Sequence, residues 1–232
     1  MQLKYVVRAI FIKANYLRKR FFRKKPLSKQ DWEERQMKDE LAFWKNPSKF
    51  EPLGNYPSVK EKYLSINKKM FNNLRTSFKG GIVCDVGCGP YGGLLPLIHA
   101  KHKIGLDPLA NAYQQIIKNN EDFIFINSPG EKIPFCNGTL DAVFCVNALD
   151  HARDPYQVLR EIYRILKRGG YFAFSVDIGG TPQHPHLLLE KDLNKELLDK
   201  FAVIQHECST NIKSSWPDEL NIPLYVFQGT KK

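Results

Sequence analysis

Apolar positions follow two rhythms along the chain, and the change of rhythm divides it. Up to about residue 80 they recur at helical spacing. Leu3, Val7, Ile10, Ala14, Leu17 and Phe21 form one stripe, which Pro26 interrupts. Ser28 and Asp31 then offer the start of a second helix carrying Trp32, Met37, Leu41 and Trp44, with Asn46-Pro47 as its end. A loop with Pro47, Pro52, Gly54 and Pro57 follows. Ser58 and Glu61 make a capping box for a third helix with Val59, Tyr63, Ile66, Met70 and Leu74 on one face, and Gly80-Gly81 is expected to close it.

Beyond Gly81 the apolar residues gather into short continuous runs separated by helix-spaced stretches. The pattern predicts strands at Ile82–Val86, Lys103–Leu106, Phe123–Ile126, Asp141–Val146 and Tyr171–Val176, with helices at Leu94–His99, Ala110–Lys118 and Pro155–Leu166 between them. A helix over Leu187–Lys200 and strands at Phe201–Cys208 and Leu224–Gln228 complete the series. Asp154-Pro155 is a strong helix start, and Arg168-Gly169-Gly170 reads as a helix end. Between Ile126 and Leu140 there is no room for a further helix. Runs buried on both faces and joined by helices mean a mostly parallel α/β sheet. The expected organisation is a basic amphipathic helix over 1–27, a helical lid over 28–80, and a sheet domain over 81–232.

The chemistry concentrates where strands end. Ile82-Val83-Cys84-Asp85 runs into Val86-Gly87-Cys88-Gly89-Pro90-Tyr91-Gly92-Gly93, a strand delivering an acid to a glycine-dense turn. Such a turn lets a ligand lie against backbone, and alone it is a weak signal. Asp107, at the end of the next predicted strand, follows Asp85 by 22 residues. In a doubly wound sheet an acid at that point holds ribose hydroxyls; its structural alternative is a cap ahead of Pro108. Asn147-Ala148-Leu149-Asp150-His151 follows the fourth strand, and Thr181-Pro182-Gln183-His184-Pro185-His186 the fifth, both at the carboxyl edge where ligands bind.

These blocks, with Glu131-Lys132-Ile133-Pro134-Phe135 and Leu159-Arg160-Glu161-Ile162-Tyr163-Arg164-Ile165-Leu166-Lys167-Arg168-Gly169-Gly170, resemble the class I S-adenosylmethionine-dependent methyltransferases, in particular their small-molecule branch of the "methyltransferase type 11" kind. The resemblance spans roughly Ile82 to Asp177 and rests on the order of the blocks. It implies a doubly wound, Rossmann-like, seven-stranded sheet whose last strand runs antiparallel. It implies S-adenosylmethionine as cofactor, with Asp85, Gly87, Cys88 and Gly89 at its methionine end and Asp107 and Pro108 at its ribose. Asn147 would face the methionine portion. Pro129 stands where the family often has an acid for the adenine, so Ser128 or Glu131 is expected to serve instead. His151 with Asp150 is the candidate base pair, and His184 a further proton acceptor. His184, His186 and Tyr91 are candidate acceptor contacts, joined by Trp32, Trp44 and Tyr56 of the lid.

The implied reaction is methyl transfer to oxygen or nitrogen of a small-molecule or sugar-like acceptor such as a glycan precursor. Charge adds one qualification. The chain carries a net charge of +11, and residues 1–25 hold nine Lys and Arg with no acid, leaving only +2 for the rest. A nucleic-acid groove across the sheet domain is therefore not suggested. The basic stripe suits peripheral contact with an anionic membrane face or packing on the domain. Two alternatives stay open: an RNA or protein methyltransferase docking through that stripe, and a non-catalytic partner subunit. Five unpaired cysteines point to a reducing cytoplasm and to no metal site. The absence of an Asn/Asp-Pro-Pro-Tyr tetrad argues against exocyclic amino methylation of bases, and the absence of a Pro-Cys site against carbon-5 methylation of cytosine.

Overall fold

The computed structural model describes residues 29–46, 58–116, 122–179, 188–210 and 223–232. Two helices come first, α1 (Lys29–Lys45) and α2 (Val59–Met70). Strands and helices then alternate as β1 (Ser77–Val86), β2 (His99–Asp107), α3 (Ala110–Ile116), β3 (Ile124–Asn127), β4 (Leu140–Val146), α4 (Pro155–Ile165), β5 (Leu166–Asp177), α5 (Glu190–Leu197), β6 (Phe201–Ser209) and β7 (Leu224–Lys231). The seven strands form one sheet in the order β3-β2-β1-β4-β5-β7-β6, with β7 antiparallel to both its neighbours and the other pairs parallel. The order reverses direction between β1 and β4, so the carboxyl ends of β1, β2 and β4 open on one crevice.

Two apolar cores lie on the sheet's faces. One gathers Val143, Cys145, Phe172, Phe174, Tyr225 and Phe227 with Val158, Leu159, Ile162 and Ile165 of α4. The other gathers Val83, Phe144, Tyr171 and Val226 with Met70, Phe71, Leu94, Leu95 and Ile98. The caps expected of the helices form: Ser58 Oγ accepts from Glu61 N–H, and Asp154 Oδ1 accepts from Gln157 N–H at 2.9 Å.

Three local readings are corrected. The segment predicted as a helix over Leu94–His99 is a single 3₁₀ turn, Leu95–Leu97. The cause is competition from the sheet: His99 is already paired with Ser77, so only residues 87–98 connect the strands, and Pro96 removes a helical donor. Gly80-Gly81 does not end a helix, since α2 stops at Met70 and β1 begins at Ser77. These glycines sit in the register shift between Phe78 and Ile82, where Asp141 Oδ2 accepts from Ile82 N–H at 2.8 Å. Likewise, Arg168-Gly169-Gly170 lies inside β5, in the shift between the pairs Leu140–Leu166 and Ala142–Tyr171. Among the described residues no helix is long and apolar enough to cross a membrane.

Candidate active site

The crevice at the strand ends is roofed by α1 and α2 and holds a cavity of about 220 Å³. Its floor is the turn after β1. Gly87 N–H and Cys88 N–H both donate to Leu106 O, at 2.8 and 3.3 Å, which ties this turn to the end of β2. Gly87, Cys88, Gly89, Pro90 and Tyr91 all line the cavity. Cys88 is buried, and burial first, then the Asp107 and Asp85 charges, raises its thiol well above the usual range. An unreactive core thiol is the consequence.

Asp107 closes β2 and faces the cavity. Its Oδ1 accepts from Leu109 N–H at 2.8 Å and its Oδ2 from Gly89 N–H at 3.0 Å, so the carboxylate is fixed from both sides. Burial drives its pKa up to about 6; the two backbone bonds pull it down, the Glu40 charge adds to the rise and His151 opposes it. Pro108 and Leu109 extend the same wall.

Asp85 lies elsewhere than the sequence suggested. It is fully buried at the end of β1 and does not line the cavity. Leu94 N–H donates to its Oδ2 at 2.8 Å, and the Gly93 backbone is pressed against the same oxygen. Its Oδ1 is buried without a hydrogen-bond partner. The carboxylate therefore pins the glycine turn from beneath. Burial raises its pKa to about 7, with the Leu94 bond opposing and Asp107 adding. In unfolded chain the group titrates near 3.8. Between about pH 4 and 7 the folded state keeps a proton that the unfolded state has lost, so stability falls as pH rises through that window. Asp85→Asn should accordingly raise Tm relative to the parent more at pH 8 than at pH 5, measured by scanning calorimetry; an equal shift at both values would contradict this.

Beyond β4 the chain turns sharply. Asn147 has φ 52° and lines the cavity, and its Oδ1 is buried without a hydrogen-bond partner. His151 also lines the cavity, with Nδ1 2.7 Å from Oε1 of Glu40 on α1. Burial works against its charged form, but Asp150, Glu40 and Asp177 outweigh burial and its pKa rises to about 9. These neighbours favour the hydrogen-bond-donating imidazolium over the free base that the sequence suggested. Asp150 is buried behind the wall and does not line the cavity.

The adenine candidates diverge as well. Ser128 faces away: its hydroxyl donates to Lys132 O at 2.9 Å and it does not line the cavity. Glu131 does line it, but its Oε1 accepts from Arg153 N–H at 2.7 Å and Asp154 N–H at 3.1 Å, bracing the start of α4. Pro129 and Gly130 complete that corner.

The two roof helices supply further lining side chains beside the expected Trp44. Met37, Glu40, Phe43 and Trp44 of α1 and Tyr63, Leu64 and Asn67 of α2 line the roof. Trp44 is the hub: its ring meets Phe43 at 4.9 Å, Tyr63 at 5.2 Å and Tyr91 at 5.7 Å between centroids. It lies directly over Gly89, within 3.5 Å of where a β-carbon would stand. Of the other acceptor candidates, Tyr56, His184 and His186 lie outside the described residues, as do residues 1–28, and Trp32 has no described side chain. Among the described residues no cluster of His, Cys, Asp or Glu is placed to hold a metal.

Comparison with known proteins fits this geometry. Residues 84–174 match the family model described as "Methyltransferase domain". Over that span the chain is similar to methyltransferase domains. The chain is 36% identical over 113 residues to cycloartenol-C-24-methyltransferase 1 of Oryza sativa subsp. japonica, covering 44% of this chain and 33% of that protein. It is 30% identical over 144 residues to ubiquinone biosynthesis O-methyltransferase of Pseudomonas entomophila (strain L48), covering 57% and 56%. The chain thus spans a third to about half the length of these relatives. In fold, the chain resembles phospholethanolamine N-methyltransferase 2 of Haemonchus contortus, at a TM-score of 0.62 and 17% identity over 90% of this chain and 61% of that one.

Proposed function

We propose that this chain transfers the methyl group of S-adenosylmethionine to a small, largely apolar acceptor enclosed beneath α1 and α2. The observation that carries the reading is Asp107, a carboxylate locked by two backbone donors at the cavity's edge where a parallel strand ends. Its remaining lone pairs suit two ribose hydroxyls. The unpartnered Asn147 Oδ1 in the opposite wall suits the amino group of the methionine portion. Asp107, Glu40 and Glu131 line the cavity with His151 and Arg153, an acidic balance that suits a cationic ligand over its neutral product. The residues present therefore fit the cofactor, which when bound supplies an electrophilic methyl on a sulfonium.

The chain's own part is placement. Trp44, Tyr63, Tyr91 and Phe43 form an aromatic wall of the cavity against which a ring or alkyl chain can pack. His151 and Arg153 are the only basic side chains among the described lining residues, so a phosphorylated or carboxylated acceptor is disfavoured. The acidic surroundings that favour the His151 imidazolium suit an acceptor atom that is a nucleophile without a base. The relatives are named for O- and C-24-methylation, so kinship alone does not choose the attacked atom. The basic stripe before Lys25 is consistent with an acceptor drawn from an anionic membrane surface.

A direct test incubates the full chain with methyl-labelled S-adenosylmethionine and a panel of phenols, quinols and sterol-like alcohols beside phosphorylated amines and sugars. Label in organic-extractable product is expected. Transfer only to phosphorylated or sugar acceptors would overturn the proposed class, and transfer to none with turnover of cofactor absent would remove the activity.

A further inference from the structure

Helix α1 presents one carboxylate to the segment after β4. Glu40 Oε1 meets His151 Nδ1 at 2.7 Å, and Glu40 Oε2 accepts from Trp44 Nε1–H at 3.1 Å one turn along the same helix. One carboxylate thus joins the Trp44 indole to the segment that follows β4. Trp44 in turn covers Gly89 and packs on Tyr63 of α2 and Tyr91 of the glycine turn. Both partners of the ion pair are mostly sheltered, with side-chain exposures of 19% and 26%, so water screens the contact weakly. A lid sitting on the domain by apolar contact alone would not need a charged residue at its underside.

We propose that Glu40 is a positioning residue that latches α1 to the end of β4 through His151, keeping the lid shut over the cavity and His151 in its hydrogen-bond-donating form. The latch rests on the reading of this cavity as the cofactor and acceptor site. The charges facing His151 come from each packed element: Glu40 from α1, Asp150 beside it, and Asp177 at the end of β5, with Asp107 at the end of β2 coupled to it. All are acidic, and together they favour the imidazolium. A histidine whose folded pKa is raised stabilises its state fully below the unfolded value and loses that contribution as pH rises through the folded value. The ion pair is therefore in place while His151 is protonated and weakens as pH passes about 9.

The consequence is a lid whose release is set by one proton. With the latch broken the cofactor should leave faster, while contacts at Asp107 remain. Loss of one sheltered, charge-assisted hydrogen bond corresponds to about a tenfold faster release.

The experiment uses the full chain, first without ligand. Nuclear magnetic resonance follows the His151 ring and the Trp44 indole N–H through pH 5–10, in the parent and in Glu40→Gln. In the parent both signals should move with one midpoint near 9. In Glu40→Gln the histidine midpoint should fall by about one unit or more, and the indole signal should lose its pH response. Glu40→Asp, which keeps the charge but shortens the reach, should free the indole in the same way. Stopped-flow release of S-adenosylmethionine should then be about tenfold faster in both variants at pH 7. Identical histidine midpoints in parent and Glu40→Gln, or an indole blind to pH in the parent, would overturn the latch. A parent with coupled titration that binds no S-adenosylmethionine would keep the latch and remove the functional reading. Cofactor binding without coupled titration would do the reverse.

Discussion

Asp107→Asn should weaken S-adenosylmethionine binding by about 100-fold, ~2.7 kcal/mol. The carboxylate stands at the cavity's edge with each oxygen already accepting one backbone hydrogen bond, from Leu109 and Gly89. Its remaining lone pairs are what hydroxyl donors of a bound ribose would use. An amide keeps the volume but turns one acceptor into a donor. That end then opposes either a backbone N–H or the ligand, and the charge is gone. Isothermal titration of the full chain with S-adenosylmethionine and S-adenosylhomocysteine would measure the effect. Both ligands share the ribose, so both should lose affinity alike. A loss confined to the charged ligand would assign Asp107 a purely electrostatic role. An unchanged affinity for both would remove it from the site.

The second large effect belongs to folding. Gly93→Ala should lower stability by about 3 kcal/mol, a Tm decrease of roughly 6–12 °C. Gly93 has φ 57°, and an added β-carbon would stand 2.2 Å from Asp85 Oδ2, well inside van der Waals contact. That oxygen is fully buried and bonded to Leu94 N–H, so it has no cheap way to retreat. Gly80→Ala separates the two contributions. Gly80 has φ 73° with nothing within 4 Å of the added carbon, so only the backbone cost of about 1 kcal/mol should appear there. Thermal unfolding of the two variants side by side would check this. Equal losses would mean that the contact with Asp85 carries no weight.

The frame was legible in the sequence where hydrophobic rhythm and strand-end acids coincide. Short apolar runs alternating with helical spacing give the parallel sheet, and Asp107 at the end of β2 lines the cavity. Legibility failed where two local signals compete for the same backbone. Leu94–Leu97 has helical composition, yet pairing of Ser77 with His99 leaves it too little chain, and one 3₁₀ turn results. Gly80-Gly81 and Gly169-Gly170 look like helix ends and are shifts of strand register. A glycine pair marks a change of backbone direction without saying which kind. Asp85 was misread for a related reason: its position in the motif fixes its strand but not which way the turn folds over it.

The lid contact was invisible for a different reason. Glu40 and His151 are 111 residues apart, and neither carries a local cue to the other. Glu40 sits in a helix rich in charge, where a solvated face is the ordinary reading. Only the packing of Trp44 over Gly89 brings that carboxylate to the end of β4. His151, read alone, looks like a base; its three acidic neighbours make it a cation.

The central claim is that the crevice at the ends of β1, β2 and β4 receives an adenosyl ligand. Calorimetric titration of the unmodified full chain with S-adenosylmethionine at neutral pH tests it most directly. A saturable one-to-one isotherm with micromolar dissociation is the predicted result. A flat trace with both S-adenosylmethionine and its demethylated product would contradict the account.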